Sequence, residues 1–251
     1  MRDNVHAFVA AAAESFRLAG PVYEFGSYIV PGQEAIGDLR PLFPRCEYVG
    51  CDMREGPGVD RIEDLGHLTL EDESVSTIIC VETLEHVFEV RRAVDEMLRV
   101  LAPGGMILIS TPFNFYLHNY PGDYWRLTPS CLGRLLEPLG ATVVGWQGVE
   151  SFPHTVFALG CKDPVPRDFA ARADRFSAAF NMWLRQAAAA EPFAKKLKRW
   201  TLGRLRSKGE RRRERDYHRA EFITSCRADT PRSLRELMGL KPQNAPESAD
   251  I

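Results

Sequence analysis

The chain contains no apolar run near the ~20 residues that cross a bilayer as a helix. It also has no C-x-x-C pair, no internal repeat and no G-x-G-x-x-G. Each absence removes a class. The first argues against a helical membrane protein. The apolar stretch 8–13 is shorter than the ~7–15-residue core of a secretion signal and reads better as part of a first helix. The six cysteines (Cys46, Cys51, Cys80, Cys131, Cys161 and Cys226) have no metal-ligand spacing. Several fall in expected strands, where a free thiol behaves as a small apolar group. A reduced, cytoplasmic setting follows as the expectation. The missing G-x-G-x-x-G argues against a nicotinamide or flavin dehydrogenase. Excess charge is missing too: the net is −2 over 251 residues. Composition therefore does not mark the whole chain as a polyanion binder. The charge is unevenly placed, with twelve Lys/Arg against four Asp/Glu between Glu191 and Ala220.

What is present is an alternation of short apolar runs with helical periods. Residues 2–19 predict a helix ended by Gly20-Pro21, and 22–25 a strand stopping at Gly26. A helix over 33–43 is closed by Pro44. Strands follow at 47–51, 59–62 and 75–81, then a helix over 90–100 and a strand at 106–109 entered through Pro103-Gly104-Gly105. A loop dense in aromatics, 113–129, leads to a helix over 130–139 and strands at 141–146 and 155–160. Strands alternating with helices predict a parallel sheet. The last two strands lack a helix between them and so predict an antiparallel pair. Three regions are expected: a domain over 1–165, a helical, basic extension over 166–219, and a tail over 220–251 that is partly disordered. The extension is expected to be dispensable for the loops at the strand ends.

The most informative stretch is 74–112. An apolar strand runs into Glu82-Thr83-Leu84-Glu85-His86, and a second strand follows one helix later. Polar residues just past the carboxyl end of a strand are where an open α/β sheet binds ligands. The order "LEHV" and then "RVLAPGG" resembles the class I S-adenosylmethionine-dependent methyltransferases, in their small-molecule, type 11-like branch. The resemblance covers roughly residues 20–162. It implies an α/β, Rossmann-like fold with a seven-stranded, mostly parallel sheet, an antiparallel last strand and flanking helices, followed by the helical C-terminal extension. It also implies S-adenosyl-L-methionine as cofactor.

Four loops would carry that cofactor. Glu24-Phe25-Gly26-Ser27 matches the start of the family's E-x-G-x-G-x-G, but Tyr28 replaces the second glycine. Asp52, followed by Met53, ends strand two, where a carboxylate can accept both hydroxyls of a ribose. Asp64 and Leu65 stand where the family faces the adenine. Cys80, Val81 and Glu82 would border the methionine part. The plain alternatives are a strand-end turn for Gly26, a surface Asp for Asp52 and a helix-capping carboxylate for Asp64. If Glu82 opens a helix, then Glu82, Glu85 and His86 share one side and could hold a divalent ion. The same E-x-x-E-H order occurs in metal-dependent O-methyltransferases of quinone synthesis and of small-RNA 3′ ends. It is also widespread in relatives thought to bind no metal, and no metal is expected.

The loop 113–129 is placed by the resemblance over the transferred methyl. His118 and Asp123 are its best proton acceptors, with His86 third; the plain alternative is a lid packed by its own aromatics, with Asp123 and Arg126 paired. "YPGDYWRLTP" at 120–129 is similar to methyltransferases of polysaccharide and secondary-product pathways. The expected function is methyl transfer to a small-molecule or saccharide acceptor, at oxygen. Two alternatives are a catalytically silent binding module of the same fold and a nucleic-acid methyltransferase clamped by the basic helix. Nucleic acid is disfavoured, because Trp200 and Tyr217 are too few aromatics for base stacking. A homo-oligomer or an anionic partner through 193–219 stays open.

Overall fold

The computed structural model describes residues 1–118, 122–190 and 217–226. The expected basic helix over 193–219 falls almost wholly outside these, as does the tail beyond Cys226. Eight strands form one sheet: β1 (Val22–Phe25), β2 (Tyr48–Asp52), β3 (Arg61–Ile62), β4 (Val75–Val81), β5 (Leu101–Pro112), β6 (Ala141–Val149), β7 (Phe152–Cys161) and β8 (Ala220–Cys226). Their spatial order is β3-β2-β1-β4-β5-β7-β6-β8. The first five pair parallel, while β7 pairs antiparallel with both β5 and β6. The mostly parallel sheet with an antiparallel end is therefore observed. Strand order reverses between β1 and β4, which opens a crevice at their carboxyl ends.

The helices are α1 (Asp3–Phe16), α2 (Glu34–Gly37), α3 (Val90–Val100), α4 (Pro129–Leu135) and α5 (Phe169–Ala190). They cover both faces. The strands' alternation divides the core in two. Ile79, Val81 and Leu108 face one cluster with α1 and α5. Ile78, Cys80, Ile107 and Ile109 face the other with α3 and α4. This period of two explains why the strands read as continuous apolar runs: both faces are buried. On α3 the buried residues are Ala93, Val94, Met97 and Val100, a single helical stripe.

Four expectations change. The helix over 33–43 is two short pieces, α2 and a 3₁₀ turn at Arg40–Leu42. Pro41 lacks the amide a continuous helix needs, and the Asp38 carboxylate takes the Arg40 N–H at 3.0 Å instead. Strand five begins at Leu101, because Pro103-Gly104-Gly105 is absorbed as an irregularity where pairing steps from Val75↔Leu101 to Thr77↔Met106. Gly104 takes a φ of 72° there.

The other two changes lie at the C-terminal end. The sheet has an eighth strand: β8 pairs antiparallel along β6, from Ala141↔Cys226 to Gln147↔Ala220. The edge of β6 needs partners for its amides and carbonyls, which the composition of 220–226 did not reveal. The C-terminal extension, expected to be dispensable for cofactor binding, packs into the core. Phe8 of α1 stacks on Phe157 at 4.7 Å and meets Phe176 of α5 edge-on at 5.7 Å. Phe169, Phe176, Phe180 and Leu184 of α5 are all buried. Cutting after Lys162 would bare this cluster.

Phe222 of β8 lies 4.8 Å from Phe176 and 5.9 Å from Phe180, centroid to centroid. Phe222→Ala is therefore expected to lower stability by roughly 1–3 kcal/mol, less than the ~3–5 for a fully buried ring. A urea denaturation series checks this, through a lower midpoint at unchanged slope.

Candidate functional site

A cleft of about 690 Å³ opens at the carboxyl ends of β1, β2, β3 and β4. Its formation begins at Gly26. The β1 chain must turn away from the sheet, and Gly26 does so with a φ of 86°. A Cβ there would lie 2.1 Å from Thr83 Oγ1. The loops after β1 and β4 thus touch backbone to side chain. Thr83 in turn donates its hydroxyl to the carbonyl of Val81 at 3.0 Å. Where the family pattern has a second glycine, the Tyr28 ring lies against Gly56, whose Cβ would fall 2.3 Å from it. Arg54 stacks over the same ring at 4.6 Å. Gly58, with a φ of 86°, similarly makes room for Ile29. Glycine's freedom is used in the loop after β2, so the loop after β1 can carry an aromatic.

Nine of the expected cofactor residues line this cleft: Glu24, Gly26, Ser27, Asp52, Met53, Asp64, Leu65, Val81 and Glu82. Cys80 does not. It points into the core under α3, which follows from the alternation along β4. Asp52 accepts the Arg54 N–H at 3.0 Å. Asp64 accepts the Gly66 N–H at 2.8 Å, so it holds a tight turn and caps no helix, while also facing the cleft.

Glu24 is buried, and burial pushes its carboxyl up to about 7. Oε2 accepts the Tyr48 hydroxyl at 2.7 Å. Oε1 and the nearby Ser27 Oγ have no hydrogen-bond partner among the described residues.

Glu82, Glu85 and His86 do not share a helix face. Glu82 sits at a φ of 52°, and Leu84–His86 is a single 3₁₀ turn. Glu82 turns to Arg2, whose Nε donates to both its oxygens at 2.9 and 3.1 Å. Arg2 lies 80 residues away in sequence and nothing local announces it. It brings the start of α1 to the cleft and lies over the Phe115 ring at 5.0 Å. Glu85 points inward, fully buried, with its carboxyl raised to about 8 by burial and then by Glu82.

His86 and His118 both reach the cleft, their rings edge-to-face at 4.8 Å. Asp123 stands behind them. Arg126 Nη2 donates to it at 2.8 Å and the His118 backbone N–H at 2.9 Å. The guanidinium holds its carboxyl well below the usual range. That makes Asp123 a poor proton acceptor, so its expected part as a base is corrected to that of an anchor for the loop. The loop is further tied down by Tyr124 N–H donating to the Glu85 carbonyl at 2.7 Å. The Trp125 indole donates to the Val87 carbonyl at 3.0 Å. Tyr28 of the expected glycine loop and Phe115 and Tyr116 of the aromatic loop also wall the cleft, as do Arg54 and Thr83, which were not read from sequence.

Residues 45–109 match the family model described as a methyltransferase domain. The matched segment holds the loops after β2, β3 and β4, while Glu24, Gly26 and His118 lie outside it. A probable S-adenosylmethionine-dependent methyltransferase of Mycolicibacterium smegmatis is 37% identical over 68 residues, 27% of this chain and 24% of that protein. One of Mycobacterium tuberculosis is 29% identical over 80 residues, 32% and 25% of the two chains. The matched part thus spans about a quarter of the length of these curated relatives. Among solved structures, a SAM-dependent methyltransferase from Aquifex aeolicus is 18% identical, covers 63% of this chain and 93% of its own, and has a TM-score of 0.42. One from Mesorhizobium loti is 15% identical, covers 62% and 98%, and has a TM-score of 0.46.

Two outcomes are expected. Gly26→Ala should destabilise the fold, and should do so less in a Thr83→Ala background, because that change removes the atoms nearest the new methyl. A double-mutant cycle by thermal or urea melts measures this coupling.

The second concerns Glu24, whose folded pKa is raised. Its neutral form is favoured by folding, so its contribution is fully present below about 4.5 and is lost as pH rises through about 7. The full loss is about 3 kcal/mol. Glu24 is surrounded by Tyr48, Arg40, Asp38 and the N-terminal amine. Glu24→Gln should therefore gain stability over the native protein between pH 5 and pH 8, as read by melts across that range.

Proposed function

We propose that this chain is an S-adenosylmethionine-dependent methyltransferase acting on a small-molecule or saccharide acceptor, at oxygen. The observation that carries the reading is the cleft at the strand-order reversal, walled by Asp52 and Asp64 inside a methyltransferase-domain match. The residues present fit the cofactor. The volume suits a ligand of nucleoside size, the Gly26 turn brings backbone to its wall, and Glu24 Oε1 and Ser27 Oγ are buried polar atoms in want of partners. Asp52 is assigned to the ribose hydroxyls, Asp64 and Leu65 to the adenine side, and Glu24, Gly26, Ser27, Val81 and Glu82 to the methionine side.

When bound, the cofactor supplies a methyl on a positive sulfur that leaves as a neutral thioether. The protein's part is mainly alignment of an acceptor with that methyl. Phe115 and Tyr116 give the acceptor flat apolar faces, a composition suited to sugars and aromatics. His86 and His118 are the groups on that side able to act on an acceptor's proton. Asp123 positions His118 through its contact with Nδ1, at 3.3 Å.

A cytoplasmic setting accords with the burial of Cys51, Cys80 and Cys161 as small apolar groups, and no helix among the described residues is long and apolar enough to cross a membrane. Nucleic acid stays the weaker partner reading. The basic run that would favour it lies mostly outside the described residues.

Asp52→Ala is expected to weaken S-adenosylhomocysteine binding at least tenfold. Hydrogen bonds to a charged group are worth ~1.5–3 kcal/mol. Titration calorimetry measures it, with Asp52→Asn as the milder variant. Unchanged affinity in both would remove the ribose assignment, and no binding by the native protein would favour the silent-module reading.

A further inference from the structure

One carboxylate beside the cleft has no counterpart. Glu85 is fully buried, and neither of its oxygens has a hydrogen-bond partner among the described residues. Its charged neighbours are already matched. Glu82 is paired with Arg2 and Asp123 with Arg126. Buried charges are normally paired or bound to metal. What Glu85 does face is imidazole. His86 Nε2 lies 3.9 Å from its Oε1, and one ligand-capable atom from each of Glu85, His86 and His118 lies within 4.8 Å of the others.

The two imidazoles are arranged for the same purpose. His86 Nδ1 is hydrogen-bonded to the Gly122 carbonyl. A carbonyl only accepts, so the proton sits on Nδ1 and Nε2, 3.9 Å from Glu85 Oε1, keeps a bare lone pair. His118 Nδ1 lies 3.3 Å from the Tyr116 carbonyl and 3.3 Å from Asp123 Oδ2. Both of these also only accept, which leaves His118 Nε2 bare. A histidine whose far nitrogen donates to a carbonyl or carboxylate is the usual support of a metal ligand. The backbone keeps the three together: Tyr124 N–H binds the Glu85 carbonyl, tying the loop after β5 to the turn after β4.

We propose that Glu85, His86 and His118 form a binding site for one divalent first-row transition ion, such as zinc. Two neutral imidazoles and one carboxylate suit that class better than magnesium or calcium, which prefer oxygen. Ligand atoms on one such ion stand about 3–4 Å apart, so the three side chains need to draw together only slightly from their present spacing of up to 4.8 Å. The set differs from the Glu82, Glu85 and His86 trio of the sequence and reverses the expectation of no metal. Both histidines line the cleft, so the ion's open positions face it. Resting on the proposed function, an acceptor hydroxyl reaching the ion would lose its proton more readily, the two imidazoles then holding the ion in place of taking that proton themselves.

The test uses the full, untagged chain, stripped with a chelator and titrated with cobalt(II) alone, with no adenosyl ligand present. We expect one equivalent to bind, with the intense visible absorption of a four- or five-coordinate ion. His118→Ala leaves the core untouched and should weaken binding at least tenfold. Glu85→Gln and His86→Ala should do the same, and His6→Ala should not. Circular dichroism checks each variant's fold, and His118→Ala decides if the buried Glu85 variant unfolds. Absent cobalt bands overturn the site, as does binding that His118→Ala and His86→Ala leave unchanged. Magnesium binding as tight as cobalt overturns the ion class. S-adenosylhomocysteine titrated into the same stripped protein reports separately on the cofactor reading.

Discussion

The close approach of Gly26 to Thr83 is the constraint on which the rest of the site depends. At the reversal of strand order, the chains leaving β1 and β4 must diverge to opposite sides of the sheet, yet their first residues touch. Only a residue without a Cβ, at positive φ, allows this. Because the loops part from that point, a cleft remains above it, open to the carboxylates at the ends of β2 and β3. Glu82, one residue before Thr83, is in the left-handed conformation. Such a conformation costs of order 1–3 kcal/mol and persists only where its surroundings hold it. Here the Arg2 guanidinium supplies the hold.

The departure from the family's glycine pattern has a physical compensation. Tyr28 would crowd a conventional strand-end loop. Gly56 and Gly58 in the neighbouring loop, both at positive φ, give back the space. The cleft wall therefore carries an aromatic ring capped by Arg54 where backbone would otherwise stand.

Polar burial around the cleft falls into two kinds. Asp123 and Glu82 are satisfied by arginines and act as fixed anchors for the loop after β5 and for the start of α1. Glu24 and Glu85 are buried with oxygens left over, and burial raises both their pKa values. Unsatisfied carboxylates are costly in a core. These two flank the cleft, one on the cofactor side and one beside the paired imidazoles, where ligands could satisfy them.

The succession of strands and most helices along the chain, and most of the residues that wall the cleft, were legible in the sequence, because each rests on local pattern. Continuous apolar runs mark strands buried on both faces. Gly26, Asp52 and Asp64 stand at strand ends whatever the distant chain does. The antiparallel last pair was legible too, from the missing helix between 146 and 155. Tertiary structure decided what depends on residues far apart in sequence. Arg2 meets Glu82 across 80 positions, His118 meets His86 across 32, and 220–226 becomes a strand only because the edge of β6 is there to pair with it. Asp123 could be read from the sequence as a base or as a partner of Arg126, and the structure pairs it with that guanidinium. Periodicity records which face of an element is buried. It carries no record of which charge or strand edge from elsewhere will arrive there.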